Sequence, residues 1–298
     1  MEYRQLGKST LQISRIGFGA MSLRPLEIDT QQLLYAAIDK GINFLDTADL
    51  YDKGLNEAAI GQALQKRRKE IILATKVGNQ WRQDGSGWDW NPRKAYIIKA
   101  AEESLKRLQT DYIDLYQLHG GTIDDPIDET IEAFEQLQQQ GKILFYGISS
   151  IRPNVIREYV QRSNMASVMM QYSLLDRRAE ENCLQLLQEN QVGILARGTV
   201  AGGLLVNKPA KDYLAHALAT VLRTKEAIHD MSGELKYIAS IAIRFALQQA
   251  GITAAIIGIR TPEQLAEAID AVDMPALTVK ELLNLQEAAP ALLYKDHR

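Results

Sequence analysis

Short apolar runs alternate with helical patterns eight times along this chain, and no other feature restricts the fold as much. The runs fall at 16–19, 43–45, 71–75, 112–118, 143–148, 168–171, 193–196 and 254–257. Helical segments lie between them near 30–40, 55–67, 93–108, 128–140, 154–162, 180–190, 234–250 and 262–271. In the first of these, Leu33, Leu34, Ala37 and Ile38 give the apolar stripe of an amphipathic helix. Pro92, Pro126, Pro153 and Pro262 stand at or just before helix starts, where a fixed φ and a missing N–H do no harm. Strict alternation implies right-handed crossovers and a parallel sheet buried on both faces. Eight such units predict an α/β chain closed into a (β/α)8 TIM barrel rather than an open doubly wound sheet. A hairpin is expected ahead of the barrel, with strands at 3–6 and 11–13 and a turn at 7–9. Extra helical segments are expected after the seventh strand (212–228) and at the C-terminus (278–293). A length of 298 residues would allow two domains at ~150 residues each. No linker or low-complexity tract divides it, so one barrel domain over 1–298 is the expectation.

Composition narrows the partners. A net charge of -3 and a pI near 5.9 offer nothing to nucleic acid or an anionic membrane. The lone cysteine, Cys183, cannot form an internal disulfide, which suits a reducing cytoplasm. The N-terminus lacks the apolar run of a secretory signal, and no stretch approaches ~18 consecutive apolar residues. The expectation is a soluble cytoplasmic globular protein, monomeric or weakly homo-oligomeric.

A barrel carries its chemistry at the C-terminal ends of its strands, so the polar residues that end the apolar runs matter most. Asp46 ends the second run, Lys76 the third and His119 the fourth, with Tyr51 in the loop after the second. Were 46–51 helical, five residues at ~100° each would leave Asp46 and Tyr51 about 140° apart. They converge only across a loop. Taken singly, each has a structural reading: a solvated lysine, a capping aspartate, a packed histidine or tyrosine. Three neighbouring strand ends delivering them to one rim favour chemistry. A phenol of ordinary pKa near ~10 is a poor acid at neutral pH; a nearby ammonium favours its ionised form, and a buried carboxylate holds that ammonium charged. An imidazole supplies a donor toward an oxygen gaining negative charge. Such a set protonates a carbonyl oxygen. With no cluster of metal ligands, no Ser/His/Asp set and no reactive cysteine setting visible, an external hydride donor completes it.

The motifs carrying these residues resemble those of the aldo-keto reductases, in particular the bacterial general-stress and inositol-operon-like branch. They are GFGAM at 17–21, DTADLYDKGLNEAAIG at 46–61 with Asp52-Lys53 inserted before Gly54, ILATKVG at 72–78, DLYQLHG at 114–120, GKILFYGISS at 141–150 and QYSLL at 171–175. They follow in the family's order over essentially the whole chain. The resemblance implies a barrel with an opening hairpin, Tyr51 as general acid, Lys76 and Asp46 tuning it, and His119 orienting the carbonyl.

The resemblance also implies the cofactor residues. GFGAMS is an incomplete dinucleotide fingerprint, which a barrel would not use in any case. Gly19, Ala20, Met21 and Asp46 line the family's site near the first two strands, and Ser149 and Gln171 meet the nicotinamide carboxamide. Arg197, Gly198, Thr199, Val200, Ala201, Gly203 and Leu204 form the loop over the pyrophosphate. Gly258, Arg260, Gln264 and Glu267 match the pocket for the adenosine 2′-phosphate, where a helix N-terminus and an arginine suit an anion. NADPH is therefore expected, with NADH as the alternative. Three departures stand out: Ser150 replaces a common Asn, Arg197 replaces an aromatic that stacks on the nicotinamide, and Ala268 replaces an adenine-binding Asn. All three tryptophans lie in the loop after the third strand; Trp81 and Trp88 are expected to join Tyr51 and His119 in meeting an aldehyde or ketone. Two other readings compete with NADPH-dependent carbonyl reduction: a Schiff-base aldolase using Lys76, and a cofactor-binding regulatory subunit like the family's potassium-channel β-subunits.

Overall fold

The computed structural model describes residues 1–23, 29–232 and 238–298. Its strands are β1 (Tyr3–Gln5), β2 (Gln12–Ser14), β3 (Ile16–Gly19), β4 (Phe44–Asp46), β5 (Ile72–Val77), β6 (Asn79–Trp81), β7 (Trp88–Trp90), β8 (Ile113–Leu118), β9 (Ile143–Ser149), β10 (Ser167–Gln171), β11 (Gly193–Arg197) and β12 (Ile252–Gly258). Eight of them, β3, β4, β5, β8, β9, β10, β11 and β12, pair in parallel and in chain order into a closed barrel. Helices α1 (Asp29–Asp39), α2 (Leu55–Leu64), α3 (Lys94–Leu108), α4 (Ile127–Gln139), α5 (Pro153–Arg162), α6 (Cys183–Glu189), α7 (Leu218–Ser232), α8 (Ile238–Gln248), α9 (Pro262–Asp273) and α10 (Val279–Ala288) accompany them. Of the helix expected near 234–250, residues 234–237 lie outside the described residues. No helix among the described residues is long and apolar enough to cross a membrane.

Two apolar layers hold the barrel. Phe44, Ala74, Leu115, Met169, Leu195 and Ala254 form the inner one, joined by Leu6, Leu11 and Ile13 of the hairpin. Leu6 and Ile13 are fully buried, each stabilising the closure by about 1.5–3 kcal/mol. Gly7 fixes where the hairpin sits. It has φ +54°, and a methyl group there would lie 2.4 Å from the Ala166 carbonyl oxygen and 2.6 Å from the Gly193 nitrogen. Those groups mark the starts of β10 and β11, so the hairpin plugs the N-terminal mouth. The outer layer, including Ile16, Tyr116, Tyr146 and Ile243, lies between strands and helices. Burial on both faces explains why the strand runs read as nearly unbroken apolar sequence.

Several boundaries differ from expectation. Asp46 and Lys76 belong to their strands rather than following them. The helix expected from Asp212 starts at Leu218, because 213–216 make a turn and the Asp212 carboxylate accepts the Leu218 N–H at 2.7 Å. The terminal helix stops at Ala288, two residues before Pro290, which disfavours helical backbone at the residue preceding it. The tryptophan loop contains an antiparallel ribbon, β6 with β7, in which Trp81 faces Trp88 and Asn79 faces Trp90. Strands of three residues are too short to leave a period-two signature.

Candidate active site

Strands β4, β5 and β8 are adjacent and end on one rim, as the sequence pattern requires. Asp46 closes β4, Lys76 is the penultimate residue of β5, and His119 follows β8 with its N–H on the Val77 carbonyl at 2.7 Å. After Asp46 the chain turns instead of entering a helix directly: the Thr47 N–H bonds Ala74 O at 2.9 Å and the Asp49 N–H bonds Lys76 O at 3.2 Å. That turn brings Tyr51 back over the strand ends. The Lys76 ammonium joins the set, donating to Asp46 Oδ2 at 2.7 Å, to Thr47 O at 2.8 Å and to the Tyr51 hydroxyl at 3.2 Å. The His119 ring meets the Tyr51 ring edge-on, with centroids 5.9 Å apart and planes at 85°.

Burial sets the charge states. Lys76 is 1% exposed and Asp46 4%. Burial alone pulls the Lys76 ammonium down, but the Asp46 carboxylate and the Tyr51 hydroxyl outweigh it and hold it above the ordinary lysine value. Burial lifts the Asp46 carboxyl, and Lys76 and Gln117 limit the rise. Burial, reinforced by the positive charges of Lys76 and Arg197, pulls the His119 imidazole down to about 3. His119 is therefore neutral near pH 7, and its Nδ1 is buried with no partner among the described residues.

A pH prediction follows for His119. The unfolded chain takes up this proton near pH 6.5 while the native state resists until about 3. Stability from this group is complete above 6.5 and is lost as pH falls toward 3. Unfolding free energies at pH 7.5 and 4.5, from urea titrations, should therefore lie closer together in a His119→Gln protein than in the unsubstituted one, by about 2.7 kcal/mol at most.

The other expected residues fall as follows. Gly19 ends β3; Ala20 is buried and Met21 is 64% exposed in the turn after it. Ser149 ends β9 and is buried. Gln171 ends β10 beside Arg197 at the end of β11, and its amide donates to the Tyr213 hydroxyl. The segment Gly198–Leu204, which follows β11, has left-handed backbone at Gly198, Ala201, Gly202 and Gly203. Val200 O accepts the Gly203 N–H at 2.9 Å, and Thr199 Oγ1 is buried without a partner among the described residues. Gly258 ends β12. Arg260 is exposed at the start of α9, where Thr261 caps the helix and Gln264 Oε1 accepts the Arg260 N–H at 2.8 Å. Glu267 is half-buried, and Ala268 points into the core. Trp81 is half-buried under the Lys53 ammonium, 5.1 Å from its ring centroid, and Trp88 is 48% exposed.

Sequence reading missed supporting groups. Gln117, fully buried in β8, donates to Asp46 Oδ1 at 3.3 Å; a lone amide inside an apolar strand run was the available signal. Asn79 Nδ2 donates to the His119 carbonyl at 3.2 Å. Asn56, within the quoted 46–61 motif, ties Thr47 Oγ1 (2.6 Å) to Ala20 O (2.9 Å). Glu57 in the same motif accepts from Thr75 Oγ1 at 2.6 Å and from Arg107 Nε at 2.7 Å, bracing β5 from behind.

Comparison with known proteins gives the family. The family model described as "Aldo/keto reductase family" matches residues 15–289. An uncharacterized oxidoreductase of Bacillus subtilis, YqkF, is 49% identical over 307 residues, covering all of both chains. The NADH-specific methylglyoxal reductase of Escherichia coli is 28% identical over 323 residues, covering 96% of this chain and 98% of that one. The holo structure of aldo-keto reductase AKR11C1 from Bacillus halodurans superposes with a TM-score of 0.94 at 48% identity, covering 100% of this chain and 99% of that one. The chain belongs to the aldo/keto reductase family of oxidoreductases, whose general reaction is carbonyl reduction.

Proposed function

We propose that this protein is an NADPH-dependent reductase of aldehydes and ketones, working as a single barrel domain in the cytoplasm. The observation that carries the reading is the Lys76 ammonium, buried and shared between Asp46 Oδ2 at 2.7 Å and the Tyr51 hydroxyl at 3.2 Å. A bound reduced nicotinamide would supply the hydride that a carbonyl carbon accepts. Tyr51 protonates the carbonyl oxygen, and Lys76 stabilises the phenolate left behind. Asp46, helped by Gln117, keeps the lysine charged and pointed. Neutral His119 donates a hydrogen bond to the same oxygen as charge develops there.

The rim fits a dinucleotide. The unpartnered Thr199 hydroxyl and the left-handed glycines of 198–203 present donors and open backbone to a diphosphate. Nothing lies within 4 Å of where a methyl group on Gly202 would be. Ser149 and Gln171 offer donors and acceptors for a carboxamide. Arg260, at a capped helix start, suits a 2′-phosphate, and Trp81 and Trp88 line the approach for an apolar carbonyl substrate.

The test is consumption of NADPH and NADH across a panel of aldehydes and ketones, with Arg260→Ala in parallel. Loss of a charge-assisted contact of about 1.5–3 kcal/mol should raise KM for NADPH roughly ten- to hundredfold and leave KM for NADH nearly unchanged. Equal effects on both cofactors would remove Arg260 from the 2′-phosphate site, and no carbonyl-dependent oxidation of either would overturn the reading.

A further inference from the structure

The three tryptophans have different surroundings, and Trp90 alone packs its ring on backbone beside the catalytic cluster. Its ring is wedged against two glycines, Gly78 and Gly120. A methyl group on Gly78 would sit 2.6 Å from Trp90 Cζ3, and one on Gly120 would sit 3.2 Å from the same atom. Gly78 comes two residues after Lys76, and Gly120 immediately follows His119. Both have positive φ, +127° and +140°, so this slot requires residues without a Cβ. The indole N–H donates to Asp125 Oδ1 at 2.9 Å, and Asp125 also accepts from the Thr122 N–H at 2.7 Å and the Thr122 hydroxyl at 2.9 Å. Next to the ring, the Asn91 N–H reaches the Gly78 carbonyl at 2.7 Å. Across the ribbon from Trp90, its pairing partner Asn79 holds the His119 carbonyl at 3.2 Å.

We propose that Trp90, bolted by Asp125, is a positioning residue that locks the segment after Lys76 to the segment after His119 and so fixes the imidazole relative to the ammonium and phenol. Neither residue touches the reacting atoms. The glycine slot lets a rigid indole lie against both backbones at once, and the Asp125 carboxylate ties that indole to the loop that continues from His119. Without the wedge, the two segments are still joined where β5 pairs with β8 up to Val77 and Leu118, by the His119 N–H to Val77 bond and by the Asn79 contact, none of them on the faces of Gly78 and Gly120. The inference rests on the reductase reading for its kinetic arm only.

The test compares Trp90→Phe, Asp125→Ala and Asp125→Asn with the unsubstituted protein. Kinetics are expressed per cofactor site counted by fluorescence titration, so a misfolded fraction drops out. A misplaced donor lowers turnover, a displacement near 1 Å costing on the order of a hundredfold. With a smaller displacement, Asp125→Ala and Trp90→Phe are expected to lower kcat about tenfold, with substrate KM and cofactor Kd within about twofold. Asp125→Asn, which keeps an acceptor for the indole, should recover most of the loss. In parallel, 15N spectra of histidine-labelled protein follow the four imidazoles, with His119 assigned from a His119→Asn sample. The His119 ring signals should shift or broaden in Asp125→Ala and Trp90→Phe and return toward their original positions in Asp125→Asn. Unchanged His119 signals in all three proteins would overturn the proposal, as would unsubstituted kcat per cofactor site in Asp125→Ala and Trp90→Phe. If the unsubstituted protein reduces no carbonyl, the reductase reading fails, and the histidine spectra alone decide the role of Trp90.

Discussion

A Tyr51→Phe protein is expected to bind NADPH as the unsubstituted protein does and to lose carbonyl reduction by about 10²- to 10⁴-fold, the range of a positioned general acid. The substitution removes one oxygen and little else. The ring keeps its edge-on contact with His119, 5.9 Å between centroids, and its place beneath the Lys76 ammonium, 5.0 Å from the centroid. Lys76 keeps its two shorter bonds, to Asp46 and to Thr47 O. The lost hydrogen bond accounts for only about 0.5–1.5 kcal/mol of stability, so thermal unfolding should move by a few degrees at most. Cofactor fluorescence titration, unfolding and steady-state kinetics on one preparation separate these effects. Turnover within threefold of the unsubstituted protein would assign the proton to another group.

Lys76→Met should damage stability and activity together, and a second substitution should separate them. Methionine leaves the Asp46 carboxylate 4% exposed with Gln117 as its remaining side-chain partner. Breaking a buried ion pair from one side costs about 3–5 kcal/mol, because the stranded charge can neither hydrate nor pair. Replacing both members relieves that: Asp46→Asn with Lys76→Met should regain most of the lost stability in urea unfolding, since neutral groups of similar size need no counter-charge. Reduction should remain as low in the double variant as in Lys76→Met, because nothing then stabilises the phenolate of Tyr51. A double variant no more stable than the single one would mean that the pair is held by something other than mutual charge.

The barrel was legible because each buried strand must read as an apolar run and each helix as a stripe, so the count of eight survives errors at the boundaries. The Asp46, Tyr51, Lys76 and His119 cluster was legible for the same reason: strand ends in a barrel share a rim whatever the loops do. What escaped depends on contacts between distant segments. Gln117 looked like part of an apolar run until β8 was seen lying next to β5, two strands from Asp46. The ribbon of Asn79–Trp81 with Trp88–Trp90 looked like a loop, since three-residue strands carry no alternation and their pairing is fixed by the turn between them. Trp90 could not be told apart from its two loop neighbours in sequence, because its partners, Gly78 and Gly120, are glycines with no pattern of their own. Asp52 and Lys53 adopt left-handed backbone, φ +48° and +55°, which no local preference of lysine announces; Lys53 then caps the Trp81 ring.

Hydride delivery to a carbonyl, completed by a proton from Tyr51, is the centre of this mechanism, and an isotopic label tests it most directly. The protein is incubated with an aldehyde and NADPH carrying deuterium at the transferable position of the nicotinamide, and the product is read by mass spectrometry. The expected result is an alcohol with one deuterium on the carbinol carbon, formed in step with cofactor oxidation and suppressed in Tyr51→Phe. Alcohol without label, or a borohydride-trapped adduct on Lys76 with no cofactor oxidised, would contradict it.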